Sequence, residues 1–247
     1  MLDTLAEALF PSRCAACGKL CGTPSILCGQ CLAECEPADP TSCGMCGGPQ
    51  PDLPRPATPW PSEPFPLPRT TPFCPRCRAF RPSFEELRAA FVYGGPIRDA
   101  LLALKHSGRL ETGRRLGGLA AGHLPPPPGP CLVIPVPLHP HRLAERGYNQ
   151  ALLLARGMGS AWRQPVRTDI LVRTRDTGSH RGRSAAERRS ALTGAFSVRP
   201  ARLPPGSTVL LIDDVAASRS TSLECARVLK SAGASEVRVR VVASSME

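Results

Sequence analysis

Residues 209–221 limit the possible folds of this chain more than any other segment. An apolar run, 209–212, ends in two adjacent carboxylates, Asp213 and Asp214, and after a loop of small residues a helical pattern begins at Leu223. In an open α/β sheet, ligands bind beyond the carboxyl ends of the strands, and a helix N-terminus offers free N–H groups to a phosphate. Two carboxylates beside that phosphate can accept ribose hydroxyls or hold Mg²⁺. The segment therefore predicts a ribose 5-phosphate pocket, and an ordinary strand end with a polar turn is the alternative.

Strand and helix patterns alternate along the second part of the chain. Strands are predicted at 88–93, 132–136, 209–212 and 237–242, and helices at 97–106, 114–121, 151–157 and 223–232. Gly233 follows the last helix, where a glycine commonly ends one. The alternation predicts an α/β fold with a parallel, doubly wound sheet.

The first part of the chain carries four C-x-x-C pairs, which are Cys14/Cys17, Cys28/Cys31, Cys43/Cys46 and Cys74/Cys77. Each pair places two thiolates on one side of a tight turn, and two turns complete a tetrahedral four-cysteine site for Zn²⁺. Such a site is structural, because protein ligands fill all four positions. Sequential pairing is the simplest arrangement and an interleaved one is the alternative. A redox or disulfide cluster is the competing interpretation of these cysteines.

Charge and proline are unevenly distributed. Ten of the 29 prolines fall between Pro49 and Pro72, a composition typical of an extended loop or spacer. Residues 1–82 carry no net charge, so the whole formal charge of +11 belongs to residues 83–247. A basic surface attracts the phosphates of a nucleotide or a nucleic acid, although a solvated basic face is the simpler interpretation. Few aromatic residues lie among the arginines of 163–189, so the sequence shows no base-stacking platform there.

No apolar run in the sequence approaches the roughly 18 residues needed to cross a membrane, and the N-terminal residues lack the features of a signal peptide. We therefore expect a cytoplasmic protein without membrane contact. In that compartment metal binding explains the cysteines better than disulfides.

Further motifs accompany the cysteine pairs and the Asp-Asp loop. They are 93–99 (YGGPIRD) with Lys105 and His106, 135–138 (PVPL), 146–150 (RGYNQ), and Arg188 with 194–196 (GAF). Together they resemble the ComF family, whose members join a zinc ribbon to a type I phosphoribosyltransferase-like domain and are linked to natural competence and DNA uptake. The resemblance covers nearly the whole chain. It implies a zinc-ribbon domain at 1–82, with a Pro-rich insert at 49–72, and a phosphoribosyltransferase-like domain at 83–247.

The resemblance also implies a site for phosphoribosyl pyrophosphate (PRPP) with Mg²⁺. Asp213 and Asp214 would be the catalytic pair that holds the ribose hydroxyls. The implied substrate-binding residues, which would hold the 5-phosphate and the pyrophosphate, are Lys105, Pro135, Val136, Pro137, Leu138, Arg146, Ser218, Arg219, Ser220 and Thr221. Single-stranded DNA and competence proteins are the implied partners.

The loop departs from the usual family pattern, D-D-V-x-T-T-G-x-T. Ala217 and Ser218 stand in place of the two threonines, and Arg219 stands in place of the glycine. The arginine side chain either clamps over the phosphate or occupies the phosphate position and blocks it. Three hypotheses follow: a working phosphoribosyltransferase, a competence factor that handles single-stranded DNA, and a catalytically silent ligand-binding scaffold.

Overall fold

The structure is a computed structural model that describes residues 12–21, 25–39, 41–50, 72–106, 110–178 and 184–245. The greater part of the predicted Pro-rich insert, residues 51–71, lies outside the described residues.

The described strands are β1 Glu86–Val92, β2 Leu132–Pro135, β3 Leu171–Arg173, β4 Phe196–Val198, β5 Thr208–Ala216 and β6 Glu236–Ser244. Four of them form a parallel sheet in the order β1-β6-β5-β2. β3 and β4 form a separate antiparallel pair. The parallel sheet confirms the predicted α/β class.

The described helices are α1 Gly29–Ala33, α2 Pro75–Ala79, α3 Gly95–His106, α4 Leu110–Gly122, α5 Pro140–Arg146, α6 Gln150–Trp162, α7 Ala185–Leu192 and α8 Ser220–Ser231, with a 3-10 turn at Pro200–Arg202. Side-chain caps explain where α6 and α7 begin. The Asn149 side chain accepts a hydrogen bond from the backbone N–H of Ala151 at the start of α6. Ser184 and Glu187 form a reciprocal capping box at the start of α7.

Helices cover both faces of the sheet. Leu210 and Ile212 of β5 pack in one buried cluster with residues of α3, α4 and α6. Val209 and Leu211 point to the opposite face and pack with residues of α8. Because both faces of this central strand are buried, its apolar residues form a continuous run instead of alternating with polar ones.

Two glycines allow α4 and α6 to pack unusually close together. A Cβ atom on Gly157 would lie 2.0 Å from the carbonyl oxygen of Arg114, and one on Gly117 would lie 2.3 Å from that of Leu154. No real Cβ atom approaches a backbone oxygen so closely. Glycine is therefore required at both positions by the approach of the two helix backbones.

The N-terminal region covers the exposed edge of the sheet at β1. The N–H of Ala38 donates to the Ala90 carbonyl at 3.0 Å, and the N–H of Val92 donates to Glu36 at 2.8 Å. The N–H of Leu87 donates to the Met45 carbonyl at 2.8 Å. These bonds satisfy backbone groups that an open edge strand would leave unpaired.

β5 continues past the predicted strand, which ended at residue 212. Asp213 pairs with Val241 of β6, and Val215 pairs with Ala243. The pairing with β6 keeps the backbone extended through both carboxylates, a long-range effect with no signal in the local sequence. Among the helices within the described ranges, none combines the length and the apolar character that a membrane span needs.

Candidate functional site

The two adjacent carboxylates lie near the carboxyl end of β5. The N–H of Asp214 donates to Asp213 Oδ1 and the N–H of Val215 donates to Asp214 Oδ1, each at 2.9 Å. These bonds orient both carboxylates. Lys105, near the end of α3, forms an ion pair with Asp214, with 2.7 Å between its Nζ and Oδ2. The structure thus brings together three of the residues that the sequence predicted.

The charges in this group act on one another. Burial and the negative charge of Asp214 raise the pKa of Asp213 well above its usual range. Burial lowers the pKa of Lys105, but the charge of Asp214 outweighs burial and leaves that pKa raised. Arg173 is a second cation close enough for the charge of Asp213 to act on its pKa. Hydroxyl donors or a bound cation would further stabilise the ionised pair.

The helix that follows the carboxylates begins without a side-chain cap. Among the described residues no side chain accepts a hydrogen bond from the first N–H groups of α8, whereas α6 and α7 are both capped. Ser218 Oγ donates to Ser220 Oγ at 3.1 Å, so two hydroxyls lie at this terminus, and Thr221 follows in the first turn. Uncapped N–H groups and the positive end of a helix dipole suit a phosphate.

Arg219 occupies the position before α8, and its side chain reaches the cysteine-rich region. Its backbone lies in the left-handed region at φ 59°, where glycine is favoured. Its Nε donates to the carbonyl oxygen of Cys46 at 2.8 Å. The sequence left two arrangements open, a clamp over the phosphate and a block in its place, and the observed contact directs the guanidinium to the cysteine-rich region.

The loop after β2 is held against β5. The N–H of Val136 donates to the Ile212 carbonyl at 2.9 Å, and Asn149 Nδ2 donates to the Val136 carbonyl at 3.0 Å. Pro135 and Pro137 restrict the backbone on either side. Arg146 Nη1 donates to Gln150 Oε1 at 2.6 Å, which keeps this guanidinium at the end of α5. The predicted pyrophosphate loop therefore lies beside the strand that carries the carboxylates.

The eight cysteines of the C-x-x-C pairs form two groups in the sequential arrangement, Cys14/Cys17/Cys28/Cys31 and Cys43/Cys46/Cys74/Cys77. We call them the first and the second cysteine cluster. All sulfur atoms of a cluster lie within 4.8 Å of one another, and Cys17–Cys28 and Cys46–Cys74 are each 3.8 Å apart. A tetrahedral Zn²⁺ with Zn–S bonds of about 2.3 Å requires sulfurs about 3.8 Å apart. Both donor sets fit structural zinc.

Backbone groups favour the thiolate at one sulfur of each cluster, whereas burial and the neighbouring cysteines raise the pKa of Cys31 and Cys77. Burial raises the pKa of Cys14, but N–H groups of Cys17 and Cys28 donate to its sulfur, and the net pKa falls to about 6. Burial has the same opposing effect at Cys43, where backbone donors including those of Cys46 and Cys74 lower the pKa to about 7. Thiolates are the form that binds a metal.

A cleft of about 340 Å³ lies between the second cysteine cluster and the start of α8. Its walls include four arginines, Arg76, Arg81, Arg189 and Arg219, and no acidic side chain of the described residues. Phe80 lies in the wall and is 81% exposed. Sequence reasoning missed this cleft. The arginines and the aromatic residue around the Cys74/Cys77 pair were a usable signal, but Arg189 and Arg219 reach it only through the fold.

The fold and these groups define a class: an α/β protein with an Asp-Asp, loop and helix arrangement on a parallel sheet and two clusters of four cysteines. The chain is 38% identical over 111 residues to Competence protein F of Haemophilus influenzae, which is 44% of this chain and 48% of that protein. It is 31% identical over 173 residues to DNA utilization protein YhgH of Escherichia coli O157:H7, which is 67% of this chain and 75% of that protein. The chain thus spans about half the length of the first relative and three quarters of the second. The chain belongs to the ComF family.

No protein-family model matches the chain. Among solved structures, it is similar to a glutamine PRPP amidotransferase from B. subtilis complexed with ADP and GMP, with a TM-score of 0.37 and 21% identity over 54% of this chain and 26% of that one. A second structure, an allosteric regulatory enzyme of purine biosynthesis, gives a TM-score of 0.38 and 22% identity over the same shares.

Proposed function

We propose that the chain binds PRPP or a related ribose phosphate between β5 and α8. The observation that carries this proposal is the uncapped start of α8 directly after the paired carboxylates. Asp213 and Asp214 would accept the ribose hydroxyls. The first N–H groups of α8, with Ser218, Ser220 and Thr221, would hold the 5-phosphate.

The pyrophosphate would lie against residues 135–138 and Arg146. Bound Mg²⁺ would neutralise its charge. Transfer from PRPP develops positive charge on the ribose as pyrophosphate leaves, and the two carboxylates would stabilise that charge. The protein would therefore act as a phosphoribosyltransferase by positioning and electrostatics.

Calorimetric titration of metal-loaded protein with PRPP and Mg²⁺ tests the proposal. We expect the double variant Asp213→Asn/Asp214→Asn to bind about 100-fold more weakly, because two charged hydroxyl acceptors are lost. Asp169→Asn is the matched control, since Asp169 pairs with Arg167 away from the site. Equal affinity in the double variant and the wild type would contradict the proposal.

The names of the relatives, a competence protein and a DNA utilization protein, support a role in the use of DNA. A second candidate function follows from the arginine-lined cleft, which would hold single-stranded DNA. Phe80 would stack on a base, and Arg76 and Arg81 would contact phosphates. Arg81 is already stacked on Phe73, with 5.8 Å between its Cζ and the ring centroid. The sequence alone had shown no such platform.

Fluorescence anisotropy with a labelled thymidine oligonucleotide tests this candidate. We expect Phe80→Ala to weaken binding by about 5- to 100-fold, since stacking on one base contributes about 1–3 kcal/mol. Arg76→Gln should lower the salt slope by about one. Arg114→Gln is the control, because Arg114 is an exposed arginine of α4 paired with Glu111. Equal losses in the variant and the control would reject the cleft as the site.

A further inference from the structure

We infer that Arg219 is a positioning residue that makes ribose-phosphate affinity depend on metal in the second cysteine cluster. The inference rests on the proposed function of the Asp213–Asp214 site. A cluster that looks purely structural would then set the shape of the loop at residues 217–219, which we call the phosphate loop, through one side chain.

The strained backbone of Arg219 is the first observation. A non-glycine residue in the left-handed region is disfavoured, because its Cβ lies too close to the following carbonyl oxygen. Such a residue persists only where surrounding contacts determine its conformation. At φ 59°, Arg219 shares this region with only one other non-glycine residue of the described chain, Arg163.

The contact that holds this conformation is the hydrogen bond from Arg219 Nε to the Cys46 carbonyl, 173 residues away in sequence. The guanidinium also packs over Gly48, where an added Cβ would lie 3.3 Å from Arg219 Nη2. Cys46 thus makes two contacts. Its sulfur is part of the second cluster, and its carbonyl oxygen accepts a hydrogen bond from Arg219 of the phosphate loop.

Metal would fix the position of that carbonyl. The Cys43–Cys46 turn is closed by hydrogen bonds from Cys43 N–H to Gly48 and from Gly47 N–H to Cys43, at 2.8 and 2.9 Å. It meets the other half of the cluster at sulfur, where Cys74 N–H donates to Cys43 Sγ at 3.3 Å and the sulfurs of Cys46 and Cys74 are 3.8 Å apart. Metal–sulfur bonds would join the two halves far more firmly than these sulfur contacts do, so removing the metal would let the halves separate.

Loss of the Cys46 acceptor would release Arg219 from its strained conformation. The loop would then lose the arrangement that presents the N–H groups of α8 to a phosphate, and ligand affinity would fall because the loop must be ordered on binding. By linkage, bound ligand must raise the affinity of the second cluster for its metal by the same factor.

The test compares metal affinity and ligand affinity in wild type and Arg219→Gly. In wild type, we expect saturating PRPP with Mg²⁺ to raise the affinity for one of the two metal ions about tenfold in equilibrium competition with a chelator, a typical coupling. In Arg219→Gly, PRPP should leave the affinity for both metal ions unchanged. An equal gain in the two proteins would overturn the inference, and so would a higher PRPP affinity in Arg219→Gly, which would indicate a blocked pocket.

Hydrogen exchange separates this inference from the proposed function, because it needs no ligand. Metal removal from wild type should speed amide exchange at residues 217–222, and in Arg219→Gly exchange there should be fast with or without metal. Wild-type exchange at 217–222 that does not respond to metal would overturn the inference even if PRPP binds. If PRPP does not bind wild type, the proposed function fails, and exchange alone decides the coupling.

Discussion

The two cysteine clusters have the same ligands but different neighbours. Cys14 and Cys31 of the first cluster belong to the buried cluster that includes residues of α3, α4 and α6. Cys43, Cys46 and Cys77 of the second form a small buried group of their own with Met45. The first cluster is therefore part of the core, and the second lies beside the loop at residues 217–219 that precedes α8.

Donor atoms alone therefore do not define the role of a metal site. Ser12, beside the first cluster, accepts from Arg115 of α4 at 3.1 Å, which ties that region to a packed helix. In the second cluster, the carbonyl of Cys46 instead accepts a hydrogen bond from Arg219, which lies next to the proposed ligand site. The backbone carbonyls of each C-x-x-C turn, and the residues packed against it, decide which part of the molecule each cluster can affect.

Removing one ligand from each cluster should give the largest effects. Cys31→Ser and Cys77→Ser each replace a buried cysteine, and each should lose one metal ion with a cost of several kcal/mol, because metal binding contributes directly to folding. Metal analysis and thermal unfolding measure this. Cys31→Ser should lower the stability of the sheet core, whereas Cys77→Ser should in addition weaken PRPP binding. Identical profiles in the two variants would remove the distinction between the clusters.

Gly157→Ala should disturb the packing of α4 and α6 beside the first cluster and leave the second cluster unchanged. Its Cβ would collide with the Arg114 carbonyl, so we expect a loss of about 3 kcal/mol in the free energy of unfolding. Gly118→Ala, on α4 with no atom within 4 Å of its Cβ, should gain about 0.5–1 kcal/mol. Denaturant unfolding measures both. A faster release of metal from the second cluster than from the first in Gly157→Ala would argue against the assignment.

Asp213→Asn should have a small effect and leave both clusters loaded. The pKa of Asp213 is raised in the folded protein, so its ionisation opposes folding as pH rises above the unfolded value of about 4. The variant should match wild type at lower pH and become more stable, by about 1 kcal/mol, once Asp213 is ionised in the wild-type fold. Melting temperatures across this range measure it. A gain that is largest in acid would show that the sign is wrong.

Local patterns in the chain identified the element types and predicted the two kinds of candidate site. Helical and strand periodicity located α3, α4, α6, α8 and the parallel strands, because packing against one core imposes those periods. Each C-x-x-C turn and the Asp213–Asp214 pair are likewise local, since neighbours in sequence must be neighbours in space. The Arg219 departure was visible, but its consequence was not.

The amino-acid order was enough to establish that a parallel α/β sheet carries an acidic strand end before a helix, and that paired thiolates precede it. Tertiary packing was needed to show that the cysteine pairs combine sequentially, that β5 continues through both carboxylates, and that Arg219 meets Cys46. The reason is physical: periodicity and turn chemistry act over a few residues, whereas a contact across 173 residues depends on how separate elements pack.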